Sequence, residues 1–185
     1  NNELKSRSQH ITKYTKSDKG GYSLYKFDNK DSLIYITLDE RDFNIRLYFK
    51  INSLGNERIL ISHKNFIIKI KEDNSLEFNG KSLTTDEDLI VDTQYELIVN
   101  YPLQILFFQG KPIAEVTWTN PESDKWKGIH PENLDKQLLI GNSGKTKFNG
   151  YIGGIKIVHG TDKDKMIAPD LNETQAPIAK EIAEK

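Results

Sequence analysis

A chain without cysteine must draw its chemistry from carboxylates, imidazoles, hydroxyls and aromatic rings. Disulfides, thiolate metal sites and cysteine nucleophiles are excluded at once. The carboxylates fall mainly in three runs, Asp39-Glu40-Arg41-Asp42, Glu72-Asp73 and Asp86-Glu87-Asp88, each in a turn-like stretch. Glu77, Glu96 and Glu115 stand singly on strand-like segments. A glycoside hydrolase usually needs two carboxyl groups flanking the bond, ~5–5.5 Å apart for retention or ~6.5–9.5 Å for inversion. No Glu-x-Asp or Glu-x-x-x-Glu sits mid-strand to supply such a pair, so these read as solvated groups and no catalytic residue is assigned. The histidines, His10, His63, His130 and His159, show no metal-ligand spacing. The nucleophile elbow Gly-x-Ser-x-Gly is absent. Gly141-Asn142-Ser143-Gly144-Lys145-Thr146 lacks the first glycine of a phosphate loop, no helix follows it, and it reads as a hairpin turn.

Binding chemistry is better represented. Sugars are held by aromatic rings against the apolar faces of pyranoses, with Asn, Asp, Arg and Glu reading the hydroxyls. Trp118 and Trp126 bracket a long polar stretch, Thr119–Lys136, and are candidates for such a platform. Arg46 and Tyr48 share the polar side of one strand, and His63 is expected near that face. The competing role for Trp126 is structural, as a staple that ties its loop to the core.

These residues need rigid elements to carry them, and the dominant period is two. Phe43, Ile45, Leu47, Phe49 and Ile51 alternate with Asn44, Arg46, Tyr48 and Lys50, the pattern of a strand with one apolar face. Phe66, Ile68 and Ile70 repeat it, as do Tyr95, Leu97, Val99 and Tyr101. Shorter strands are expected at 23–27, 32–38, 59–62, 75–78, 104–108, 113–118, 137–140 and 154–158. Turns rich in Asn, Asp and Gly separate them, for example Asp73-Asn74, Asn79-Gly80 and Gln109-Gly110, because hairpin turns favour positive φ. About ten short strands without an amphipathic helix between them point to an all-β, two-sheet antiparallel β-sandwich.

The 185 residues suffice for one such domain. A formal net charge of -1, with no basic stripe, gives no reason to expect nucleic acid. No apolar run approaches the ~20 residues of a membrane span. The chain starts Asn1-Asn2-Glu3 without Met and reads as a fragment of a longer protein. Residues 1–21 are expected as an N-terminal extension, 22–160 as the sandwich, and 161–185 as a polar tail or linker with a short helix over 178–184.

The segment Phe148-Asn149-Gly150-Tyr151-Ile152-Gly153-Gly154-Ile155-Lys156-Ile157 resembles the closing strand of laminin-G-like domains, members of the concanavalin A-like jelly-roll superfamily. Gln137–Asn142 is similar to the short strand before that motif, 95–112 to the family's central hairpin, and 44–51 to its long strand. The resemblance covers about residues 22–159 in order. Tyr151 stands where many animal members carry a cysteine, so a bacterial, phage or protist relative fits better. The resemblance implies a recognition module for a glycan or glycosylated surface, in a larger secreted or surface protein. A protein–protein adhesion or assembly domain is the alternative, and a hydrolase or lyase of the same fold is a third. It also implies a rim calcium site, for which Asp92 and Asn142 are the candidate ligands.

Overall fold

A computed structural model describes residues 8–9, 13–16, 23–27, 32–83, 88–113, 117–142, 146, 148–160 and 167. Among the sequence expectations, His10, Asp86-Glu87, Glu115 and the helix over 178–184 lie outside these residues.

Among the described residues, fourteen strands form two antiparallel seven-stranded sheets. The first, sheet A, uses β1 (Ser8–Gln9), β4 (Leu33–Thr37), β13 (Gln137–Ile140), β6 (Arg58–Ser62), β7 (Ile67–Ile70), β8 (Leu76–Phe78) and β9 (Lys81–Ser82), in that spatial order. The second, sheet B, runs β12 (Lys111–Ile113), β11 (Ile105–Phe108), β10 (Tyr95–Asn100), β5 (Phe43–Ile51), β14 (Gly150–His159), β3 (Ser23–Phe27) and β2 (Lys13–Lys16). The architecture is thus the β-sandwich that the alternation implies. The edge strands β1 and β2 come from the stretch expected as an extension, and each pairs into a different sheet. Of the strand expected at 113–118, Ile113 closes β12, which follows a turn in which Gln109 and Gly110 both take positive φ, and 114–116 lie outside the described residues.

The core lies between the sheets. Phe43, Ile45, Leu47, Phe49 and Ile51 all point into it, facing Ile34, Ile36, Ile61, Ile68, Phe78, Leu138 and Ile140 from sheet A. Each such side chain, fully buried, contributes about 1.5–3 kcal/mol of transfer free energy. Phe148 meets Phe27 and Phe49 edge-on, at ring-centroid distances of 6.1 and 6.4 Å. The three-residue step from Ile152 to Ile155 is explained by a register shift between Gly153 and Lys156, which restores Ile155 and Ile157 to the core side. Gly150 has φ +147°, and a Cβ there would lie 2.3 Å from the Lys50 carbonyl, so the closing strand needs glycine at this position.

The polar side of β5 is covered. Asn44 and Tyr48 are buried, and Asn44 Oδ1 accepts the backbone N–H of Ile167 at 2.9 Å. Ile167 packs on Ile98 and Phe107 as a second apolar cluster. The expected tail therefore places at least this residue against the outer side of sheet B.

Candidate functional site

The registers fix which side chains face outward from sheet A. Leu138 and Ile36 pair on the core side, so Gln137, Leu139, Tyr35 and Thr37 lie on the other. Leu139 pairs with Ser62, and Ser62 with Ile67, which continues that outer row. Lys69 and Glu77 follow opposite one another on β7 and β8. Tyr35, Ser62, Ile67 and Leu139 are nevertheless buried. The segment 119–136 covers part of this face, with His130 edge-on to Tyr35 at 6.0 Å.

That segment holds two short 3-10 turns, Ser123–Lys125 and Leu134–Lys136, and is fastened by buried polar side chains. Asn120 donates Nδ2–H to the His63 carbonyl at 2.9 Å, and its Oδ1 accepts the Glu122 N–H at 2.9 Å. Gln137, 2% exposed, takes the N–H groups of Ile129 and His130 on Oε1 and donates to the carbonyls of His130 and Glu132. Gly128 is needed beneath it: φ is +56°, and a Cβ would fall 2.3 Å from Gln137 Oε1. Buried amides hydrogen-bonded in this way hold a loop in one geometry.

Between this ordered loop and β6–β7 lies a hollow of ≈ 180 Å³. Ser62, Ile67 and Lys69 line it from the sheet, Asn120, Glu122, Lys125 and Trp126 from the loop, and Thr146 as well. Trp126 is partly exposed and donates Nε1–H to the Leu134 carbonyl at 3.1 Å. The Lys69 ammonium sits 2.9 Å from Glu122 Oε2 and 3.1 Å from Glu57 Oε1. Partial burial lowers its pKa, but the hydrogen bonds to Glu122 and Glu57 outweigh that and hold it above the ordinary lysine value. Past Lys69 a second hollow of ≈ 380 Å³ opens along Glu57, Lys71, Glu72, Asp73 and Glu77.

Of the five residues picked from sequence for ligand binding, only Trp126 reaches this groove. Trp118 packs at the core edge, 4.7 Å from Phe78 and 6.0 Å from Phe66 between ring centroids. Tyr48 is 5% exposed on the outer side of sheet B, and its hydroxyl donates to Glu96 Oε2 at 2.8 Å. Arg46 lies beside it, with the guanidinium 5.2 Å from the Tyr48 ring and hydrogen-bonded to the Gly154 carbonyl. His63, expected near those two, is instead inside the sandwich at 0% exposure, among Phe43, Phe66 and Tyr101. It follows the outward-facing Ser62 by one residue, and the pleat turns it inward. Desolvation lowers its pKa from 6.5 to about 4, against the opposing pull of the Asp135 carbonyl and carboxylate.

Asp92, in a turn, and Asn142, in an isolated bridge just after β13, lie at the end of the sandwich where β5 finishes and β14 begins. The Asp92 N–H donates to the Ile51 carbonyl, and Asn142 Nδ2 donates to the Ser32 carbonyl. Among the described residues no group of three or more His, Asp or Glu side chains gathers to hold a metal. Among those residues, too, no helix is long and apolar enough to cross a membrane.

No family model matches the sequence, and no curated protein matches it. Solved structures do match in shape. The sialidase of Trypanosoma rangeli in complex with the inhibitor DANA superposes with a TM-score of 0.54 at 11% identity, over 80% of this chain and 26% of that one. The same sialidase in complex with 2,3-difluoro-KDN gives 0.53 at 9% identity, over 82% and 29%. The receptor-binding domain of botulinum neurotoxin type G gives 0.47 at 13% identity, over 94% and 45%. The likeness to the sialidase is one of fold. This chain spans between a quarter and a third of the sialidase's length.

Sequence reasoning missed Lys69, Glu122 and Asn120. Lys69 looked like any lysine on the solvated side of an alternating strand, and the loop residues carried no spacing signal.

Proposed function

We propose that this domain is a non-catalytic recognition module of a larger secreted or surface protein, and that it binds a glycan in the groove beside Trp126. Within the β-sandwiches we place it with the laminin-G-like, concanavalin A-like group, on the closing segment from Phe148 to Ile157 and the order of the strands before it. A fold does not set a function, so the reading depends on the site. The observation that carries it is one groove on the outer side of sheet A that combines a partly exposed tryptophan with hydroxyl, amide, carboxylate and ammonium groups. An aromatic body with a few placed polar groups is the usual composition of a small-ligand site. The buried anchors Asn120 and Gln137 hold the loop in place before a ligand arrives, which limits the entropy lost on binding.

The rival reading, a glycoside hydrolase of the same fold, would use Glu57 and Glu122, the carboxylates that share the Lys69 ammonium. Both carboxylates are partly exposed and share one lysine, as carboxylates on a solvated face do, and neither sits in the apolar pocket that a proton-delivering carboxyl group of a hydrolase needs. That weighs toward recognition.

A glycan array and affinity electrophoresis test the proposal. Wild type is expected to be retained, and Trp126→Ala to lose retention while near-UV circular dichroism still shows a folded chain. Tyr48→Phe, on the other sheet, is expected to retain glycan as wild type does. A folded wild type that retains no glycan overturns the proposal, and release of reducing sugar that Glu122→Gln abolishes would establish the rival.

A further inference from the structure

Charge at the groove floor is internally compensated. Among the described residues Lys69 is the one lysine that the sheet contributes to the hollow beside Trp126, and its ammonium is already engaged by Glu57 and Glu122. A sulfate or carboxylate on a ligand would have to displace one of these carboxylates to reach it. Lys125, the loop's cation in the same hollow, is exposed, as are Glu57, Glu72 and Asp73, so water and salt weaken the pull of all four alike. The adjoining hollow places Glu57, Glu72, Asp73 and Glu77 against Lys69 and Lys71. Lys71 itself donates to Ser82 Oγ at 3.1 Å. Among the described residues the two hollows together carry five carboxylates, Glu57, Glu72, Asp73, Glu77 and Glu122, against three lysines, Lys69, Lys71 and Lys125, so an anionic ligand lying along both meets a net negative wall.

Uncharged sugars find complementary groups instead. A carboxylate has about four lone-pair sites. Lys69 engages one oxygen of Glu122 at 2.9 Å, and the remaining sites accept sugar hydroxyls, which are donors that a sulfate or carboxylate lacks. Ser62 and Thr146 add hydroxyls in the same hollow.

Resting on the glycan reading above, we infer that the groove selects uncharged glycans and rejects sialylated, sulfated or uronate-bearing ones, with Glu57 and Glu122 as the residues that set this selection. Glu122 acts by direct acceptance of hydroxyls, and Glu57 acts through Lys69 and by its charge.

The test is retention of matched pairs, a galactose-terminated glycan and the same glycan capped with sialic acid, on immobilised full-length chain. Wild type is expected to hold the uncapped member at least about tenfold more tightly, since like charges placed together oppose binding. Glu57→Gln, outside the Trp126 hollow, is expected to narrow that gap by about threefold, the size of one partly exposed charge effect. The wild-type gap is expected to shrink in 1 M NaCl, where screening is short-ranged. Equal or tighter retention of the capped member overturns the inference and leaves glycan recognition standing. Retention of neither member, with near-UV circular dichroism showing a folded chain, overturns both.

Discussion

The imidazole of His63 donates its Nε2 proton to the backbone carbonyl of Asp135 at 2.7 Å, while Nδ1 accepts the N–H of Asn65 at 3.0 Å. The Asn65 donor fixes the tautomer, so both nitrogens are used only when the ring is neutral. The same residue's carbonyl holds Asn120. One buried histidine thereby ties both ends of the groove-bearing loop to sheet A.

Acid should loosen this tie. The folded-state pKa of about 4 lies below the ordinary 6.5, so between these values the unfolded chain binds a proton that the folded chain refuses. Stability from this residue is whole above about pH 6.5 and falls as pH drops toward 4, by roughly 3 kcal/mol in all. Urea unfolding at pH 7 and pH 4.5 is expected to show the loss. His63→Gln, which has no proton to take up, should shallow the slope by about one proton across that window. An unchanged slope would mean that the ring is reached by water and titrates normally.

Gln137 is the second anchor, and its removal should be costly. Gln137→Ala strands the N–H groups of Ile129 and His130 and the carbonyls of His130 and Glu132. Each buried group left without a partner costs about 1–3 kcal/mol, less whatever water recovers. The expected outcome is a loss of about 2–4 kcal/mol in urea unfolding, with amide exchange at Ile129 and His130 rising well above that of the strands.

Gly150 offers a test of the closing strand. Gly150→Ala would put a methyl group 2.3 Å from a backbone carbonyl at φ +147°, where neither partner is a flexible side-chain end. A loss of at least about 1–3 kcal/mol is expected, since strained backbone of this kind is costly. Thermal unfolding checks it. A neutral result would show that β14 can shift against β5 without penalty.

Period two made much of this fold legible. The bounds of β5 and β13 follow from alternation in Phe43–Ile51 and from the run Gln137–Ile140 before a glycine. Alternation reports which side chains share a face, but not what lies above that face. Arg46 and Tyr48 therefore read as exposed, although sheet B has Ile167 and the Tyr48–Glu96 hydrogen bond on that side. The strands β1 and β2 were too short and polar to announce themselves. Trp126 stood out as a tryptophan in a polar loop, whereas its partner Lys69 becomes visible only when β7 is laid beside that loop.

The contact between Ile167 and sheet B carries a last prediction. Ile167 is 7% exposed and covers Ile98 and Phe107, both apolar and both on the side of the sheet away from the main core. Its N–H also satisfies the buried Asn44 amide oxygen. Removing the side chain uncovers apolar surface and leaves a dent that water fills, at the low end of the 2–5 kcal/mol range for Ile→Ala. Ile167→Ala is therefore expected to cost about 2 kcal/mol in urea unfolding. A chain ending at Gly160 should lose more, because Asn44 then also lacks its donor, and should bind the dye ANS through the exposed Ile98 and Phe107. Neither change touches the groove on sheet A, so glycan retention by the folded fraction should persist. If stability and dye binding stay at wild-type levels in both variants, the outer side of sheet B does not depend on this segment, and the sandwich is complete at Gly160.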